Sequence, residues 1–209
     1  MRKPPPSAAY LRFLGSMKLS MDDWRDGIGY DVAALGEIAP EERLAAVEVL
    51  AEHLRDYGDW RDVEALAAID IPEARDEMRR ATQHDNHQVR LRAAERLEEA
   101  GEDAGLEDQI IDALRGSAIF YGLTQALELA EEHPTERIKA TLLDVARNGE
   151  NREARVHCSA LALYLGGKAK EAFDWAHRPL FLKFGEEDPG LREEAYRELC
   201  ARLGHTPKV

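Results

Sequence analysis

The stretch DNHQVRLRAAERLEEAG, Asp85 to Gly101, decides the fold. Val89, Ala93 and Leu97 fall at steps of four, which places them on one face of a helix, with charged residues on the other faces. The same pattern returns twice. Ala154, Cys158 and Ala162 repeat it, as do Leu191, Ala195 and Leu199, and in each copy an Arg follows the first position: Arg90, Arg155 and Arg192. Asp85, Glu150 and Glu187 each stand five residues before that Arg, so a carboxylate in the turn is expected to meet a guanidinium at the helix start.

The 65 residues from Val89 to Ala154 leave room for one more copy, and YGLTQALELAEE, Tyr121 to Glu132, supplies one that lacks the Arg. Steps of this length suit a pair of helices stacked on the next pair, because a single pair cannot bury its own apolar face. The pattern resembles the HEAT-repeat family, in which an Asp in the turn and a Val-Arg pair opening the second helix recur in the same way. The resemblance covers most of Pro72 to Gly204. It implies an all-α, right-handed solenoid of antiparallel helix pairs, roughly five hairpins.

Composition agrees with an all-helical chain. Of 209 residues, 44% are hydrophobic and 33% charged, enough apolar material to escape the disordered class. Met1 to Ala9, with three consecutive prolines, reads as an extended tail, and residues 10–209 as a single helical-repeat domain: an acidic part at 20–77, repeats at 72–166, and a capping insertion with a last helix at 173–204. Ser20 is a candidate cap for a short helix carrying Asp22 and Asp23. Pro40 opens a helix to about Tyr57, with Leu44, Val47, Leu50, Ala51 and Leu54 inward. Gly58 ends it and Asp59 caps the next. Further helices are expected from Pro72, after Asn86, and at 106–115, 119–132, 134–148, 151–165 and 191–203. Cys158 and Cys200 both fall on inward faces, where cysteine behaves as a small hydrophobe. No twenty-residue apolar run and no apolar leader follows Met1-Arg2-Lys3, so no membrane contact and a cytoplasmic location are expected.

Charge is distributed unevenly. The net charge is -13, and Ser20 to Glu77 carries 17 acids against 5 bases. Trp24, Tyr30, Tyr57 and Trp60 stand among those carboxylates, the composition of a surface that meets a basic protein partner. Residues assigned to that surface are Asp22, Asp23, Trp24, Asp26, Tyr30, Asp59, Trp60 and Asp62. A plainer reading makes the acids solvated faces and the tryptophans core. The insertion FDWAHRPLFLKF adds Trp175, His177 and Phe181 as secondary candidates. Downstream of the acidic part, Arg79, Arg80, Arg90, Arg92 and Arg96 with His84 and His87 raise nucleic-acid binding, which the acidic balance of the whole chain argues against.

No catalytic, cofactor or metal site is expected. His84 and His87 lack a third ligand at suitable spacing, Cys158 and His157 project from different helix faces, and nucleotide-binding and nucleophile-elbow motifs are absent. GDWRDVEALAAID, Gly58 to Asp70, and FDWAHRPLFLKF resemble segments of small bacterial HEAT-repeat proteins found beside secreted toxin genes. That resemblance implies an immunity protein that plugs a toxin's active site or covers its substrate face, its carboxylates imitating phosphates. Two other helical-repeat classes stand as alternatives: a DNA glycosylase of HEAT-like fold, which would need a basic groove, and a bilin lyase or chaperone, for which no tetrapyrrole-holding feature is present. The sequence leaves oligomeric state open.

Overall fold

A computed structural model describes residues 5–205. Among the described residues the chain is all-helical, with thirteen α-helices, two short 3-10 turns and no strand. No helix among them is long and apolar enough to cross a membrane. The chain divides into two compact units, residues 1–104 and 105–209.

The first unit holds α1 (Ala8–Ser16), α2 (Met21–Arg25), α3 (Val32–Glu37), α4 (Pro40–Tyr57), α5 (Trp60–Ile69), α6 (Pro72–Ala81) and α7 (His87–Glu99). Contacts run between chain neighbours and between next neighbours: α4 lies against α5 and α6, α5 against α6 and α7, and α1 and α3 join at the start of the series through α5. α5 illustrates why such helices form. Asp59 caps it by accepting from the Arg61 N–H, and Val63, Ala65, Leu66 and Ile69 recur at helical spacing with at most 4% exposure. Burying each of the larger aliphatic side chains stabilises the fold by about 1.5–3 kcal/mol. Phe13, Leu35, Leu50 and Leu97 complete the same core.

The second unit holds α8 (Leu106–Gly116), α9 (Leu123–Glu132), α10 (Glu136–Asn148), α11 (Arg152–Leu165), α12 (Arg178–Lys183) and α13 (Pro189–Leu203). Here too α8 meets α9 and α10, and α9 meets α11, with α12 and α13 closing against α11. Its core is built on Ile110, Leu114, Leu123, Ile138, Phe181 and Phe184. Arg147 of α10 reaches α13 twice, with Nε 3.1 Å from Glu193 and the guanidinium 4.8 Å from the Tyr196 ring.

The three Arg copies do one job, each donating to two carbonyls of the turn before its helix. Arg90 donates to the carbonyls of His84 and Asp85, Arg155 to those of Gly149 and Glu150, and Arg192 to those of Glu186 and Glu187. The offsets, six and five residues upstream, are the same in all three. A residue four positions upstream caps each helix: Asn86, Asn151 and Asp188 accept from main-chain N–H groups two residues on. Turn carbonyls without helical partners need donors, and a planar, always-charged fork supplies two at once. In each copy the backbone oxygen of the residue expected to supply the carboxylate accepts a bond from the Arg.

Other expectations are corrected locally. Of the stretch 1–9 expected as an extended tail, residues 1–4 lie outside the described part, while Ser7 caps α1 and Ala9 is buried. Ser7 is tied to α4, its N–H and hydroxyl each 2.6 Å from a Glu42 carboxylate oxygen. Leu44 and Leu191, assigned inward, are 48% and 42% exposed, both in the first or second turn of a helix, where no neighbour has yet covered the face. Residues 119–121 form a 3-10 turn ahead of α9, and α10 starts after Pro134, at Glu136, capped by Thr135. Ser20 and Asp23 do form a reciprocal cap: the Asp23 N–H donates to Ser20 Oγ, and the Ser20 N–H to the Asp23 carboxylate.

Candidate functional site

The acidic part of the chain converges on the α4–α5 turn. Gly58 ends α4 in the left-handed region at φ 62°, and a Cβ there would come within 2.7 Å of His84 Cε1, so glycine is required on two counts. The Gly58 carbonyl accepts from Asn86 Nδ2 at 2.9 Å, which fixes the turn to the cap of α7. Three residues on, Arg61 is only 3% exposed. Its Nε donates to the Ile28 carbonyl at 2.7 Å and its Nη1 lies 3.2 Å from Asp59 Oδ1, so one buried cation pins the Gly27–Gly29 bend against the start of α5.

Beneath this turn lies a polar cluster. Asp62 is wholly buried, with its two carboxylate oxygens 2.8 and 3.1 Å from His53 Nδ1 on α4. The buried Tyr30 acts on the same carboxylate, each raising or lowering the other's proton affinity. Burial pushes the Asp62 carboxyl up to about 6, against the pull of the His53 hydrogen bond. It pushes the Tyr30 hydroxyl up as well, with the Asp62 and Asp59 charges adding to it. An aromatic chain runs outward from the core: Phe13 and Tyr30 are edge-on at 6.3 Å, Tyr30 and His53 at 6.4 Å, and His53 and Tyr57 are tilted at 4.6 Å. It ends at the surface, since Tyr57 is 74% exposed.

The residues singled out from sequence therefore separate. Asp22 and Asp26 are exposed and flank Arg25 in ion pairs, and Asp23 is partly covered in its cap with Ser20. The Trp24 side chain lies outside the described part. Asp59 and Trp60 are half-buried, and the Trp60 ring lies under Arg61 at 4.8 Å and Arg92 at 5.4 Å. Tyr30 and Asp62, assigned to the partner surface, are inside the core and act by holding others. In the second unit Trp175 is 70% exposed under Arg178, His177 is half-buried with Nδ1 2.9 Å from Arg202, and Phe181 is core rather than surface. His53 was not singled out from the sequence, and Tyr57 was named there among the aromatics of the acidic part without being assigned to the surface. Their spacing of four on α4, just before a Gly turn, was the available signal.

The basic stretch is largely neutralised in place. Arg79 pairs with Asp76 and Glu102, Arg80 with Glu77, Arg92 with Glu64 and Glu95, and Arg96 with Glu64 and Glu99. His84 and His87 serve the turn, His84 Nδ1 accepting from the Asn86 N–H and His87 Nδ1 meeting Arg90. Among the described residues no three His, Cys, Asp or Glu side chains are grouped to hold a metal ion. Comparisons with protein families, with curated proteins and with solved structures found no match.

Proposed function

We propose that the chain is a non-enzymatic binding protein, built of short stacks of HEAT-like helical hairpins, whose first unit engages a basic protein partner. The observation that carries this reading is the end of α4. There an exposed aromatic ring, Tyr57, follows Asp56 directly, with Glu52 one turn before Asp56 on the helix; both acids are exposed and form no ion pair among the described residues. Aromatic residues are enriched where proteins meet, and unpaired carboxylates around them steer and select a positively charged surface. The paired guanidiniums of residues 79–96 leave little free positive charge for a phosphate backbone, which favours a protein partner over nucleic acid. The most specific form of the reading is an immunity protein neutralising a cognate toxin, supported by the resemblance of residues 58–70 and 173–184 to such proteins.

The test is a charge reversal at exposed positions. Glu52→Lys with Asp56→Lys keeps the helix and, on this reading, weakens capture of a basic protein at low salt, with the difference from wild type shrinking as salt is raised. Equal capture by variant and wild type at low salt removes the reading. For the immunity form, the product of the adjoining reading frame is expressed with and without this chain, and unchanged toxicity removes that form alone.

A further inference from the structure

We infer that the second unit holds a site for a single phosphate group, formed by Arg152 and Arg155 at the start of α11 and Arg192 at the start of α13. This goes beyond the reading above and is independent of it, since that reading concerns the first unit. Arginines elsewhere in this acidic chain are already engaged: Arg12, Arg79, Arg96 and Arg137 each hold two carboxylates. Among the described residues Arg152, Arg155 and Arg192 pair with no carboxylate, and all three meet one short segment, residues 184–187. Arg155 Nε donates to the Phe184 carbonyl at 2.8 Å, and Arg192 Nη1 to those of Glu186 and Glu187 at 3.0 and 2.7 Å. Arg152 lies over Gly185, where a Cβ would come within 2.9 Å of its Nε, so the guanidinium occupies space that a side chain would fill.

The donors left over define the ligand. Arg155 is only 8% exposed, and with Nε and Nη1 committed to carbonyls its Nη2 has no acceptor among the described residues, yet this atom is not sealed from solvent. Arg192 uses Nη1 alone, and Arg152 donates to no described group. Each fork thus keeps N–H donors free. Burial lowers the Arg155 pKa, and the charges of Arg192 and Arg152 lower it further, with no carboxylate offsetting them. An anion at this spot relieves the repulsion and returns a partner to the buried cation. Guanidinium forks match the oxygens of phosphate and of carboxylate alike, but three cations around one ligand favour the more highly charged phosphate. Glu150, Glu186 and Glu187, exposed in the same two turns and in no ion pair among the described residues, disfavour an extended polyanion such as a nucleic-acid strand and leave room for one compact group.

The probe is inorganic phosphate, titrated into the full chain at constant ionic strength made up with sodium chloride and read from the Nε–Hε cross-peaks of the arginine side chains by NMR. Phosphate is expected to shift, saturably, the cross-peak that Arg152→Ala removes, and that variant is expected to bind phosphate about tenfold more weakly, as followed on the remaining peaks. Arg152 is exposed and donates to no described group, so its loss leaves the fold intact. Gly185→Ala is the second variant. It keeps all three charges but displaces the Arg152 head, and it is expected to weaken phosphate binding by about threefold or more, whereas a diffuse basic surface would be indifferent to it. Shifts that do not saturate, an affinity unchanged by either variant, or acetate bound as tightly as phosphate, each overturns the inference. None of these outcomes touches the basic-partner reading of the first unit.

Discussion

Arg155 Nη1 lies 2.9 Å from the carbonyl oxygen of Glu150, five residues upstream, and the same side chain reaches the Phe184 carbonyl through Nε at 2.8 Å. One guanidinium therefore closes the turn before α11 and holds the end of α12. Burial lowers its pKa, with the charges of Arg192 and Arg152 adding to the effect, and it remains protonated throughout the physiological range. Replacing Arg155 by Met leaves buried carbonyls unpaired and is expected to cost roughly 2–4 kcal/mol in urea unfolding. Arg192→Met, at a more exposed copy of the same motif, is expected to cost about 1 kcal/mol or less. A reversed order would show that the motif is not what stabilises these turns.

Gly58 gives a second test. Gly58→Ala meets both the positive φ and the His84 ring, and is expected to destabilise by about 1–2 kcal/mol. Truncating His84 removes the steric part but not the strain of the backbone. In a double-mutant cycle, Gly58→Ala should therefore cost measurably less in a His84→Ala background. Strict additivity would place the cost entirely in the backbone.

The pH dependence of stability has a defined sign at Asp62. Its carboxyl binds a proton more tightly in the folded chain than in the unfolded one, so its contribution is fully present below the ordinary carboxylate range and is lost as pH rises through about 6. Asp62→Asn should flatten this component. The stability difference between variant and wild type is expected to shift in the variant's favour by on the order of 2–3 kcal/mol between pH 4 and pH 7. The comparison has to be made against wild type at each pH, because Glu42, Glu102 and Asp174, whose pKa values are lowered, act in the opposite direction. Parallel stability curves for the two proteins would contradict the assignment.

Thiol chemistry provides a fourth measurement. Cys158 is fully buried and burial pushes its thiol up to about 12, so the reactive thiolate is scarce at neutral pH. Iodoacetamide at pH 8 should leave Cys158 unmodified in the native chain and alkylate it after denaturation, as read by mass spectrometry of the peptides. Rapid native labelling would mean that α11 opens far more readily than its packing implies.

Much of the helical framework was legible because its signals are local. Pro40, Gly58, Asp59 and Asn151 set helix ends through φ, left-handed turns and side-chain caps, and each acts within a few residues of itself. The recurring Arg was legible as a position. Its bonding partner was not, since a turn's carboxylate and its carbonyl share an address in the sequence. The candidate site was harder to read. Asp62 stands with Ala65, Leu66 and Ile69 at the spacing of a buried stripe, so its inward placement was available from periodicity. Its partners, His53 and Tyr30, come from other elements, and only the packing of α3 and α4 on α5 brings them to it. Phe181 likewise resembled a surface aromatic in an irregular segment until α11 and α13 covered it.

The bond from Asn86 to the Gly58 carbonyl spans 28 residues and joins two turns that would otherwise vary independently. Insertions or deletions in either turn would break register with the other, so length changes at 58–59 and at 82–86 have to arise together or not at all. Anyone grafting a new loop onto this protein would do better to leave that edge alone.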